Sequence, residues 1–196
     1  MRACDNPFRV QRLGALAYRL AGATWEELLA RAERLGFRAA IVGPEGHGKS
    51  TLLGELGSRI ASARGLELRT ATLRRGERRL SAADGGRLLA ALSGCHLLLV
   101  DGAQELAPPE WRRLRDAARP AAGLLVTTHA PGLLPTLHEC GTSPALLGEL
   151  LRELAPAALD ALPPARELHA RHRGNVRDAL LEAYDTMARL NVLEPR

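Results

Sequence analysis

Between an apolar run, Phe37 to Val42, and a helix-forming run that starts at Lys49 lie the residues Gly43-Pro44-Glu45-Gly46-His47-Gly48. No other stretch narrows the fold of this chain as far. Glycines at these spacings let the backbone curl so that successive N–H groups point inward, and the N-terminus of the helix that follows adds its dipole to the same anion cradle. Lys49 is the only lysine in the 196 residues; the other 26 basic residues are arginine. A compact ammonium on a flexible stem can reach between phosphate oxygens where a flat, forked guanidinium is too bulky, so the arginine bias stops where phosphates would sit. Strand, glycine-rich loop, Lys-Ser and helix together satisfy the P-loop pattern.

The pattern assigns a ligand to each residue. Gly43, Pro44, Glu45, Gly46, His47, Gly48 and Lys49 are expected to wrap the phosphates of a nucleotide, with Lys49 on the β and γ phosphates. Ser50 is expected to give its hydroxyl to Mg²⁺, and Thr51 to meet the α phosphate. An incidental glycine-rich turn between a strand and a helix is the bland alternative.

The rest of the chain alternates in the way such a loop requires. Residues 1–36 read as helical, with "PFRVQRLGALAYRL" followed by Thr24 as an N-cap, Glu27 three residues on, and a stop at Gly36. Then come strand 37–42, helix 49–65 and strand 66–73, a basic turn, and a helical "LSAADGGRLLAALSG". Strand 96–100, a helix opened by Pro108-Pro109, strand 123–128 and a short fifth strand within 134–139 follow. From Thr142 onward only helical patterns occur. The expectation is an α/β chain: a three-layer P-loop NTPase with a mostly parallel five-stranded sheet, N-terminal helices and a small C-terminal helical lid. Its divisions are 1–36, 37–141 and 142–196.

A second acidic group should complete the metal shell. "HLLLVD" is a buried strand ending in Asp101, the Walker B arrangement, which places Asp101 to hold Mg²⁺ through water; an Asp that only caps the next loop is the simpler reading. "GLLVTTH" ends a third buried strand in polar groups, so Thr128 or His129 is expected to sense the γ phosphate or position water. A solvated loop start would look the same.

With these elements placed, the chain resembles the AAA+ ATPases, in particular compact members whose second motif reads Asp-Glu-Ala-Gln-x-Leu. The matching residues are Asp101, Gly102, Ala103, Gln104, Glu105 and Leu106. "DNPF" at 5–8 is similar to the segment that packs near adenine in that superfamily, and "GNVRDAL" at 174–180 to the sensor 2 motif of its helical lid. The resemblance implies ATP with Mg²⁺, and a γ-phosphate contact for Arg177; a surface arginine is the alternative. Gly102 stands where the family carries the glutamate that polarises the attacking water, which leaves Glu105, Gln104 or Glu45 for that role. Loss of a general base lowers turnover by roughly 10²–10⁴, which implies a slow switch. No arginine lies between His129 and Leu134, where the family's intersubunit finger sits. "LSAADGGR" with "LLLVD" and "VTTH" faintly echoes ABC ATPases, but too few residues separate Ser50 from Leu80 for the helical insert those proteins carry.

Composition bounds the partners. The three cysteines are far apart and in no metal-ligand spacing, and about 18 uninterrupted apolar residues occur nowhere, so a soluble, cytoplasmic chain without disulfides is expected. A formal net charge of +5 permits polyanions. The arginine clusters "LRRGERRL" and "WRRLRDAAR" are either solvated faces or a nucleic-acid contact gated by ATP; with 3% aromatic residues, single-strand base stacking is not expected. Three functional readings follow: a slow ATPase or nucleotide-driven switch acting on a protein partner, an inactive ATP-binding module, and an ATP-gated nucleic-acid binder.

Overall fold

The computed structural model describes residues 16–20, 22–90 and 92–193. These residues fall into two compact units, one formed by 18–43 and 49–140, the other by 16–17, 44–48 and 141–193.

The larger unit begins with an extended segment. Most of the helix expected over 7–20 lies outside the described residues, and 16–20 are not helical. The Tyr18 amide donates to the Glu55 carboxylate rather than to a carbonyl one turn back, and Tyr18 and Leu20 pack inward while Arg19 is exposed. Helix α1 (Trp25–Arg34) then starts as its sequence dictates. The Thr24 hydroxyl accepts from Glu27 N at 3.2 Å and Thr24 N donates to the Glu27 carboxylate at 2.9 Å, a reciprocal capping box.

Beyond α1 the elements alternate: β1 (Arg38–Val42), α2 (Lys49–Arg64), β2 (Glu67–Thr72), α3 (Ala82–Leu89), β3 (His96–Asp101), α4 (Pro108–Ala117), β4 (Gly123–Thr128) and β5 (Thr136–Glu139). The five strands form one parallel sheet in the order β2-β3-β4-β1-β5. Successive strand residues face opposite sides, so each apolar strand feeds two cores. Ala40, Val42, Leu98, Val100, Leu124 and Val126 join Trp111 and Leu114 of α4 on one face. Ala39, Ile41, Leu97, Leu99 and Leu125 meet Leu52, Leu56 and Ile60 of α2 and Leu28 of α1 on the other. That is the three-layer architecture expected, and β4, buried at every residue, lies at its centre.

The smaller unit is helical: α5 (Pro144–Leu154), a 3₁₀ turn over Pro156–Ala161, α6 (Ala165–Arg171) and α7 (Val176–Leu193). Its own core gathers Leu147, Leu151, Leu168, Ala179, Leu180 and Ala183. The 3₁₀ turn stands where "AALDAL" suggests a helix, because Pro156 opens it and Pro163-Pro164 forbid its extension. Ser143 caps α5 through Leu146 N at 3.1 Å, and Asn175 caps α7 by accepting from Asp178 N at 3.1 Å while donating to its carboxylate at 2.7 Å.

Candidate functional site

The strand order decides which strand ends meet. β4 lies between β1 and β3, so its last residues, Thr127 and Thr128, run between Val42, where the glycine-rich loop begins, and Asp101. Gly43 N still donates to Thr128 O at 3.1 Å before the chain leaves the sheet. Lys49 opens α2 and is only 8% exposed, whereas the Ser50 and Thr51 side chains that follow are exposed. Burial holds the Cys140 thiol above its usual range, against a Tyr18 hydrogen bond and, more weakly, the Lys49 charge, which both draw it toward ionisation.

The apex of the loop belongs by its packing to the helical unit. Gly46 and Gly48 have φ of 75° and 79°, the left-handed region that glycine tolerates. At Gly46 a Cβ would lie 1.7 Å from Asn175 Oδ1, so the Asn175 carboxamide rests directly on the glycine. His47 and His169 both approach Gly174, each with Nε2 within 3.6 Å of the point where a Gly174 Cβ would stand. Thr142 ties the same corner together, donating to Gly174 O at 2.7 Å and contacting His169 Nε2 at 3.2 Å. Arg177, the second residue of α7, is exposed.

Asp101 is held by a residue that the sequence reading passes over. The Thr127 hydroxyl donates to Asp101 Oδ1 at 2.5 Å and accepts from Gly102 N at 2.8 Å, so both of its hydrogen-bonding roles serve the end of β3. Thr128, the residue singled out from sequence, is buried too, but its hydroxyl donates to Ala130 O at 3.0 Å. His129 is exposed. Choosing between the two threonines requires the β3–β4 register, which sets Val100 beside Val126 and so brings Thr127 beside Asp101. Strand pattern alone carries no register between parallel strands joined by a helical crossover.

Gly102 is a glycine for a backbone reason. Its φ is 82°, and a Cβ there would stand 2.6 Å from Leu73 O, a main-chain atom itself tied down because Leu73 N donates to Asp101 O at 2.8 Å. No larger residue fits without moving the end of β2. The next two polar residues turn toward the segment after β2: Glu105 accepts from Gly76 N at 2.9 Å, and Gln104 Nε2 reaches Glu105 at 3.4 Å. Gln104 Oε1 is buried without a protein partner.

Taken singly, these residues are of the types that hold a magnesium nucleotide. Two left-handed glycines shape the loop, a buried lysine follows it, and an exposed serine hydroxyl and an oriented carboxylate supply oxygen donors. Among the described residues no group of three His, Cys, Asp or Glu side chains could hold a metal by itself. Mg²⁺ requires no such group, since it takes most of its shell from phosphates and water.

No family model matches the chain, and no curated protein matches it. Solved structures do. The Thermotoga maritima RuvB Holliday junction branch migration motor aligns at 20% identity over 89% of this chain and 62% of its own, with a TM-score of 0.56. Cdc6p from Pyrobaculum aerophilum aligns at 15% identity over 90% and 63%, with a TM-score of 0.57. A K64R mutant of the Thermotoga RuvB gives 21% identity over 79% and 57%, with a TM-score of 0.53. The chain therefore spans 57 to 63% of the length of these structures. Sequence motif, sheet order and structural likeness agree on one conclusion: the chain has the three-layer α/β fold of the P-loop NTPases, as built in RuvB and Cdc6.

Proposed function

We propose that the chain is a compact AAA+-type module that binds ATP with Mg²⁺ and works as a slow ATPase or nucleotide-driven switch. The observation that carries this reading is the Asp101 carboxylate, locked by Thr127 of β4 at the carboxyl end of the sheet, with β4 alone between it and the strand that opens into the glycine-rich loop. The amides of 43–48 and Lys49 would hold the phosphates; Ser50 and Asp101 would hold the metal, which supplies charge neutralisation on the phosphates. Thr51 is left to the α phosphate. The resemblance to AAA+ proteins gives Arg177 the γ phosphate, and the helical unit the part of a lid.

Slowness follows from Gly102. The position that would carry a water-polarising glutamate is closed by backbone, and Glu105 is engaged by Gly76 N. Glu45, exposed in the loop, is the remaining carboxylate for that role, and Gln104 and Thr128 remain as groups that could orient water, each acting as a hydrogen-bond partner rather than a base. The same observation favours a second reading, an ATP-binding module that does not hydrolyse. Isothermal calorimetry with ATP and Mg²⁺, beside phosphate release by wild type and Lys49→Ala, tests both. Binding with a Lys49-dependent release rate supports the ATPase, and binding with equal background rates leaves the module. No heat for any purine triphosphate ends both. A partner protein or nucleic acid belongs to the proposal as the body that reads the nucleotide state; one structural neighbour is a Holliday junction branch migration motor, and a steep salt dependence of DNA binding is the corresponding test here.

A further inference from the structure

β2 is an edge strand. It bonds to β3 on one side, and among the described residues no main-chain group bonds to its other side. A groove of about 1530 Å³ runs there, lined by every residue from Glu67 to Leu73. Because alternate residues of a strand point to opposite faces, a groove that touches all of them lies along the strand's edge and not on one face. Its opposite wall is the segment after β2, with Leu80 and Leu88 giving an apolar floor continuous with the core.

The charges in this groove do not cancel. Glu67 pairs with Arg69 at 3.4 Å and Glu110 pairs with Arg113 at 3.2 Å, while Glu77 accepts from the neutral Arg74 N at 2.7 Å and keeps its charge. The guanidinium groups of Arg74, Arg78 and Arg79 line the groove, are exposed, and form no ion pair among the described residues. An unpaired strand edge, an apolar floor and three guanidinium groups against the single unneutralised carboxylate of Glu77 thus lie side by side.

We propose that this groove binds an extended acidic segment of a partner protein, which adds to β2 as a sixth strand and sets its carboxylates against Arg74, Arg78 and Arg79. A strand edge offers both N–H and C=O groups, and only another polypeptide satisfies both; a phosphodiester chain accepts hydrogen bonds but donates none from its backbone. Among the described residues no aromatic side chain lines the groove, so stacked bases gain nothing here. The apolar floor takes the alternate side chains of a strand. The proposal is independent of nucleotide binding.

The test is fluorescence anisotropy on the full chain with a labelled peptide of alternating glutamate and valine. The same peptide N-methylated at alternate residues, a lysine–valine peptide and a single-stranded DNA of similar length serve as rival probes. Saturable binding of the acidic peptide is expected, weakened by about tenfold or more in Arg74→Glu/Arg78→Glu/Arg79→Glu and by raised salt. N-methylation should abolish it, because it removes the strand's donors. The triple variant touches only exposed side chains, and its circular dichroism and Tm show whether it is folded. If it is not, N-methylation in the wild-type chain decides alone. Equal binding of the N-methylated peptide, tighter binding of the DNA than of the acidic peptide, or no peptide binding at all would overturn the proposal.

Discussion

Lys49 and Gly102 show two ways in which one residue is constrained, by chemistry and by space. Lys49 is the single departure from an all-arginine basic composition and sits buried at the first turn of α2. On the proposed function, Lys49→Ala removes a charge-assisted contact worth about 1.5–3 kcal/mol, so ATP affinity should fall roughly 10- to 100-fold by calorimetry. Lys49→Arg should not restore it, because the planar fork does not fit the place of a point charge. Gly102 is held by its φ of 82° and by Leu73 O at 2.6 Å from any Cβ. Gly102→Ala is expected to cost about 2 kcal/mol or more in urea denaturation, since left-handed strain alone is about 1–2 kcal/mol. Gly102→Glu should lose stability without gaining turnover. A Gly102→Glu chain that hydrolysed ATP faster at unchanged stability would show that the end of β2 yields easily.

At the scale of elements, the site depends on neighbours that are distant in sequence. Thr127 of β4 serves both Asp101 and Gly102 N at the end of β3. Thr127→Val keeps the shape but strands both partners, so a loss of about 1–3 kcal/mol in stability is expected, and nucleotide affinity should lose its dependence on Mg²⁺. Thr127→Ser should retain both properties. The loop apex and the helical unit form a second such pairing, through Gly46 and Asn175. Gly46→Ala would collide with the Asn175 carboxamide and force the apex to shift, whereas Gly46→Ala with Asn175→Ala relieves the collision but not the φ of 75°. The double variant should therefore be less destabilised than the two single losses added, a coupling that a double-mutant cycle measures. Strict additivity would mean that the contact carries no energy. Both pairings were illegible in the sequence for one reason: Thr127 and Asn175 look like any strand-end threonine and any helix N-cap until register and packing bring them to their partners.

Across the whole molecule, stability should have an optimum in pH set by three residues of the larger unit. Burial holds His138 below the usual histidine range, helped by Arg31 and opposed by Glu139, and its Nε2 lies 3.3 Å from the Tyr18 hydroxyl. Burial likewise raises Tyr18 and Cys140, which hydrogen-bond to each other. A histidine kept neutral contributes stability that is lost as pH falls below about 6.5, where the unfolded chain takes up protons more readily. Groups held protonated contribute stability that is lost as pH rises past about 8.5, where the unfolded thiol ionises first. Urea midpoints measured against pH should fall on both sides, with His138→Gln flattening the acid limb and Tyr18→Phe reducing the alkaline one. An unchanged acid limb in His138→Gln would assign it elsewhere. By itself the sequence determined the five strands and most of the helices in their order along the chain, because strand alternation, helix caps and the glycine–lysine loop act over a few neighbouring residues and need no partner to be recognised. Only the tertiary structure decided the strand order, the choice of Thr127 over Thr128 at Asp101, the closing of Gly102 by Leu73, and the packing of the loop apex on Asn175. Each of these is a contact between segments far apart in the chain, and such contacts exist only once the sheet has set its register and the helices have packed.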